Sequence, residues 1–437
     1  MKPLIHAVFL LPLLLLLFLG GCAVNPVTGK KELALFQVST EEEIAIGQKS
    51  YPQVIQQMKG EYPDAALARY VQEVGAKLGR TSERPELPYQ FKVVNDSSPN
   101  AFALPGGYIA ISRALLVALE NEAQLAAVLG HEVGHVTARH SVSGMQRGTL
   151  LGLGMAVLSG VTGQSAYGPV AQQAGQVAAQ LLDSSYSREQ EREADRLGID
   201  YMVRAGYNPL GSVQLQEFFY RKFEGNAEPQ WLSGLFRTHP FSRDRMVANQ
   251  DYVRSQYAFT LQGADFSFRE DPFLKATAGI RAKTKAYELY DAAQQLEAQN
   301  NMTGAIETYL QALEMAPKEA LIYTGLGLAS LRMGDLAPAR RYLQEAIKLD
   351  GNYHESRMGL GYVYLQRNEN QAAVTELEKA MDLMPSLQGA YLLAEAYEKT
   401  GQAAKALELY QAVAKADPQG KLGQAAAGRV QALGGRL

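Results

Sequence analysis

Cysteine is all but missing from this chain: its 437 residues hold one, Cys22. No intramolecular disulfide can form, and several thiolates cannot gather around zinc, so any metal must rest on His, Asp or Glu. Histidine is scarce too, with six in the whole chain. An excess of one charge is absent. Lys and Arg number 42 against 45 Asp and Glu, a formal net charge of −3. That leaves no basic footprint and argues against a nucleic-acid partner. With 47% hydrophobic and 20% charged residues, the chain reads as globular and long enough for two or more cores.

The one long apolar run lies at the start, "MKPLIHAVFLLPLLLLLFLGGCAVNP". Lys2 opens a short positive region, the run from Ala7 to Leu19 follows, and Gly20 and Gly21 lead to Cys22. Residues 1–21 therefore read as a secretory signal, with an apolar core too short for a comfortable membrane span. The "LGGC" ending resembles the bacterial lipobox, which implies lipidation at Cys22. Acyl chains anchor at about 0.8 kcal/mol per buried methylene. By the same resemblance, Ala23 after the cysteine implies sorting to the outer membrane, so the expected location is the periplasm.

Residues 22–38 follow as a short tether, with turn signals at Asn25-Pro26 and Thr28-Gly29. "STEEEIAIGQKSY" has a helix start, with Ser39 or Thr40 as cap and acids in the first turn. The period then changes: Tyr89, Phe91 and Val93 alternate, and "AFAL" and "YIAIS" flank Pro105-Gly106-Gly107. This predicts a small antiparallel sheet beside an apolar helical stretch from Ala114 to Val142. The uncharged, glycine-rich region 148–182 is too interrupted by glutamine for a span and reads as a helical insertion. The expected fold is mainly α with a small antiparallel β-sheet over 39–258, then a linker over 259–282. From 283 the chain repeats. Ala305, Ala339, Ala373 and Ala406 recur at about 34 residues, as do Tyr309, Leu343, Leu377 and Tyr410. That period resembles tetratricopeptide repeats, an all-α solenoid over 283–437 whose groove takes peptide or protein partners.

Three of the six histidines fall within "AAVLGHEVGHVTARH". His131, Glu132 and His135 spell H-E-x-x-H on a helical pattern, so both imidazoles share one face and can reach one ion. Glu132 sits about 100° round the helix, within reach of a water on that ion. His140 lies nine residues after His131, about half a turn from the ligand face by helical geometry, and is read as structural or exposed. A metzincin needs glycine at 138 and histidine at 141, where this chain has Ala138 and Ser141. That class is excluded. A third ligand is required for an open catalytic zinc. "SREQEREAD" offers Glu189, Glu191, Glu193 and Asp195. Glu191 and Asp195 are spaced i, i+4, which modestly favours Glu191 as the ligand, with Asp195 orienting a ligand imidazole.

The H-E-x-x-H helix, "NAFALPGG" before it and "SREQEREAD" after it resemble the zinc metallopeptidase family of HtpX and the CAAX prenyl proteases. With the repeats and the leader, the layout resembles its BepA-type periplasmic branch, although lipidation is a departure from some relatives. The resemblance covers about 39–250 and implies a zincin-like fold, one Zn²⁺ per chain and Glu191 as third ligand. "RTHPFSRDRM" resembles the family's H-P-x-x-x-x-R element. It implies that His239 either donates to the oxyanion or occupies the open metal position as a latch. The expected function is a zinc metalloendopeptidase with Glu132 as base, acting on unfolded or misassembled envelope proteins. Candidate partners in the repeat groove include outer-membrane protein assembly machinery. The alternative is a lipid-anchored chaperone or assembly scaffold with a closed, latent site.

Overall fold

The computed structural model describes residues 22–25, 27–29, 31–33, 38–145, 185–224, 235, 238–258 and 266–436. The expected signal at 1–21 and the glycine-rich insertion at 148–182 lie outside the described residues. Strands β1 (Cys22–Val24) and β2 (Lys31–Leu33) pair as an antiparallel hairpin. Between them Asn25 is buried and donates from Nδ2 to the Ala138 carbonyl at 2.8 Å. The expected tether is thus docked onto the body of the protein.

Helix α1 (Thr40–Gln57) starts at Ser39, whose side chain and that of Glu42 close a reciprocal capping box. Helix α2 (Ala65–Arg80) is capped by Asp64. Strands β3 (Gln90–Val94), β4 (Ala101–Leu104) and β5 (Tyr108–Ser112) form a sheet in the order β3-β5-β4. The sheet is mixed, which corrects the antiparallel expectation: β5 runs antiparallel to β4 and parallel to β3. The chain crosses from β3 to the far edge before the 105–107 turn brings β5 back between them. Gly106 makes that turn at φ +79, where a Cβ would also lie 2.6 Å from the Ile44 Cα.

The expected continuous helix 114–142 is broken into α3 (Arg113–Ala118), α4 (Glu122–Thr137) and a further helical stretch that begins at His140. Asn121 breaks it by capping α4, its side chain accepting from the Gln124 N–H. Every residue of α4 except His131 is buried. Helix α5 (Arg188–Arg204) crosses α4 at backbone contact. A Cβ on Gly198 would come within 2.8 Å of the Gly130 carbonyl carbon and the His131 nitrogen. Helices α6 (Leu210–Glu224) and α7 (Arg243–Tyr257) pack behind them.

Within the expected linker 259–282, α8 (Glu270–Arg281) buries Phe273 and Ile280, and Arg281 donates to the Val117 carbonyl at 2.9 Å. The repeats follow as α9 (Thr284–Ala298), α10 (Met302–Met315), α11 (Ala320–Arg332), α12 (Leu336–Leu349), α13 (His354–Gln366), α14 (Asn370–Leu383), α15 (Leu387–Lys399) and α16 (Ala403–Ala416). Helix α17 (Lys421–Ala432) ends the array. The repeating columns become its core: Ala305, Ala339, Ala373 and Ala406 are fully buried, beside Tyr309, Leu343, Leu377 and Tyr410. Tyr287, Tyr290 and Tyr309 belong to the same apolar cluster as Leu67, Leu115 and Leu129. Gln56 on α1 holds the array from the side, donating to the Asn352 carbonyl at 2.6 Å and accepting from the His354 N–H at 2.9 Å.

Candidate metal centre

Helix α4 projects His131 and His135 from one face, one turn apart, and α5 brings Glu191 against them. The rings meet with Nε2 atoms 3.0 Å apart. Glu191 Oε2 lies 3.5 Å from His131 Nε2, and Oε1 lies 3.3 Å from His135 Nε2. His239, beyond the buried Leu235, places Nδ1 3.3 Å from His131 Nε2 and 3.1 Å from Glu191 Oε1. These four side chains form a group of donor atoms able to hold one ion.

The donor atoms lie at spacings that one ion can span: the contacts run from 3.0 to 3.5 Å, with Glu191 meeting His131 through Oε2 and His135 and His239 through Oε1, against roughly 3.3–3.4 Å between neighbours at tetrahedral bonds of about 2.0–2.1 Å. Two ring nitrogens and a carboxylate, all turned inward and nearly free of solvent, are a costly arrangement without a cation between them. His, His, His and Glu also suit zinc among the divalent metals.

Around this cluster the supports differ by side chain. Asp195 Oδ1 lies 2.9 Å from His131 Nδ1, where it favours the tautomer whose Nε2 lone pair faces the cluster. Arg245 grips Asp195 with two hydrogen bonds of 2.8 Å and reaches Glu191 Oε2 at 2.5 Å. Burial alone would depress the His131 pKa, but the Glu191 and Asp195 carboxylates outweigh it and raise the ring to about 10. Burial pushes His135 well down, keeping that imidazole neutral and able to donate its lone pair. For Glu191, burial is outweighed by Arg245, His239 and His131, which hold it well below the usual carboxylate range. Glu132 goes the other way: burial raises it. Its Oε1 lies 3.5 Å from His239 Nε2, beside the cluster rather than in it.

All the expected site residues of the two helices therefore come together, and so does His239. Glu189 points to solvent, whereas Glu193 is half-buried and turned to another partner, His140. Three contributors escaped the sequence reading in these roles. His140 is 1% exposed and touches His135. Tyr186 stacks on the His135 ring with centroids 3.7 Å apart, and its hydroxyl contacts Ser141 Oγ at 3.0 Å. Arg245, marked only as the end of H-P-x-x-x-x-R, braces both acids. A narrow cavity of about 60 Å³ opens from His131, Glu132 and His239 between Leu115, Leu215 and Phe219.

With this geometry in place, the profile of peptidase family M48 matches residues 65–252. That stretch is an M48 peptidase domain. The tetratricopeptide profile matches 290–353, 324–387 and 360–421. The chain is 26% identical over 378 residues to the beta-barrel assembly-enhancing protease of Escherichia coli, covering 81% of this chain and 70% of that protein. It is 28% identical over 263 residues to the mitochondrial metalloendopeptidase OMA1 of Saccharomyces cerevisiae, covering 53% of this chain and 71% of the other. Among solved structures, MamA from Desulfovibrio magneticus aligns at 19% identity and TM-score 0.30, over 34% of this chain and 93% of that one. These matches support a metalloprotease, in which a stretch of the M48 peptidase type is joined to tetratricopeptide repeats. Among the described residues, no helix is long and apolar enough to cross a membrane.

Proposed function

We propose that this chain is a zinc-dependent endopeptidase of the bacterial periplasm, anchored through lipid on Cys22, that hydrolyses unfolded or misassembled envelope proteins. Residues 39–258 would form the catalytic unit and 283–437 the recruiting array. The supporting observation is the convergence of His131, His135, Glu191 and His239 around one point, with Glu132 beside them. His131, His135 and Glu191 would hold the ion. A zinc ion held there would supply Lewis acidity, to polarise a scissile carbonyl and to lower the pKa of a water toward about 7.

Glu132 takes a proton from the attacking water on a carboxylate oxygen as the new O–C bond forms, then delivers it to the leaving amine as the C–N bond breaks. Substrate would lie extended along β4, the sheet edge beside α4. Asn100 accepts from the Ser112 N–H at 2.8 Å, so by alternation Ala101 turns its backbone groups away from β5. Pairing there reads backbone more than side chain and suits unfolded clients. The beta-barrel assembly-enhancing relative makes outer-membrane assembly machinery a partner to test for the repeats.

His239 favours a second reading, a latent site that opens on demand. A zinc site with four protein ligands is closed, whereas hydrolysis needs a vacant corner. The His239 Nδ1 sits at ligand distance from its neighbours, so it would act as the latch. The His239→Ala variant separates the roles: a latch predicts faster casein cleavage, an oxyanion donor predicts slower. Cleavage of casein with and without chelator tests the peptidase itself; chelator-insensitive turnover would sink it.

A further inference from the structure

We propose that His140 and Glu193 form a hydrogen-bonded chain that fixes the ring and the proton of His135, and so sets how tightly the centre grips its metal. The inference rests on the metal-centre reading above. Every ligand imidazole needs its second nitrogen held, because that contact selects the tautomer and aims the lone pair. For His131 the holder is Asp195. No carboxylate among the described residues takes that place for His135. Its Nδ1 instead meets His140 Nδ1 at 2.9 Å, and His140 Nε2 meets Glu193 Oε2 at 3.2 Å.

The proton positions along this line follow from one requirement. If His135 Nε2 offers its lone pair to the cluster, its proton sits on Nδ1 and donates to His140. His140 Nδ1 then accepts, so its own proton sits on Nε2 and donates to Glu193. Every link is satisfied by neutral imidazoles and one carboxylate. Reversing the chain would place a proton on His135 Nε2, pointing at His131 Nε2 and at the ion's position. His140 cannot itself be a ligand, since it contacts His135 on the side away from the donor cluster.

The backbone is bent to make the contact. α4 stops at Thr137, and Arg139 takes φ +58, a left-handed conformation unusual for a residue with a Cβ. That turn carries His140 back toward His135, where a continuing helix would have swung it away. Arg139 is held there by Glu43 Oε1, 2.6 Å from its Nε, and by the Val38 carbonyl. His140 is thus a positioning residue, and Glu193 anchors it.

The test is zinc affinity of the full mature chain, by competition with a chromogenic chelator, for wild type, His140→Leu, His140→Gln and Glu193→Ala. Glutamine can accept from His135 and donate to Glu193, whereas leucine can do neither. His140→Leu should weaken zinc roughly 10–100-fold. His140→Gln should stay within about threefold of wild type, since it restores both hydrogen bonds. Glu193→Ala should lie between them and keeps the test alive if the leucine variant does not fold. The visible spectrum of bound cobalt should shift in His140→Leu and return in His140→Gln. Equal affinity of wild type, His140→Leu and Glu193→Ala overturns the proposal, as does a glutamine variant as weak as the leucine one. His135→Ala is the separate control: undiminished zinc binding there refutes the metal-centre reading itself.

Discussion

At the scale of single residues, the site was legible wherever regular helical geometry carries the contact. His131 and His135 are one turn apart on a continuous helix, and the i, i+4 pair Glu191 and Asp195 share the opposing face of α5. Among the four acids that spacing left open, Glu189 faces solvent, Glu193 turns to His140, and Glu191 is fully buried beside both imidazoles. His140 was misplaced because its predicted angle assumed a helix that in fact ends at Thr137. Tyr186 had no signal, since its contact crosses from one segment to another. Two predictions belong here. Glu132→Gln removes the base but no ligand, so casein turnover should fall by about 10²-fold or more while zinc content is unchanged, checked by elemental analysis. Asp195 has a depressed folded pKa: burial would raise it, but Arg245 and His131 outweigh burial. Its stabilisation is therefore present above the unfolded value of about 3.9 and lost as pH falls through the folded one. Asp195→Asn should cost about 3 kcal/mol or more at pH 7, because Arg245 is left buried with half its partner charge gone. The loss should shrink on acidification in urea titrations of chelator-treated protein.

At the scale of elements, strand and helix positions followed from period and caps, whereas strand pairing did not. Nothing in an alternating pattern says that β5 inserts between β3 and β4, because order is set by where the 95–100 connection lands. The close approach of α4 to α5 depends on Gly130, Gly134 and Gly198, where a Cβ would meet the backbone of the facing helix. Gly198→Ala makes the consequence testable. Alanine favours a helix over glycine by about 1 kcal/mol. Against that, its methyl meets backbone atoms of α4 that cannot rotate away, an overpacking cost of roughly 1–3 kcal/mol. The clash should win, lowering the thermal midpoint. Since α4 and α5 carry opposite sides of the donor set, zinc affinity should fall with it. A more stable variant with unchanged affinity would show that the helices are not in close contact.

At the scale of the whole molecule, the 34-residue period was plain in the sequence, but the attachment of the repeats was not. The expected linker 259–282 instead carries α8, which lies against α3 and buries Phe273. Arg113 stacks on Tyr287 across the junction, 3.3 Å from the ring centroid, and also bonds Asn95 Oδ1 at 2.9 Å. Arg113→Ala should cost about 2–3 kcal/mol through the lost cation–π contact and hydrogen bonds. Because the core is shared, calorimetry should show the first repeats melting with the peptidase domain, and two well-separated transitions would contradict that. The claim that carries the function is nevertheless a count of ions. Elemental analysis of the purified chain should find one zinc per molecule, reduced to background in His131→Ala, His135→Ala and Glu191→Ala and retained in Glu132→Gln. A metal-free wild type that still cleaves casein, or full zinc content in those ligand variants, would contradict the account.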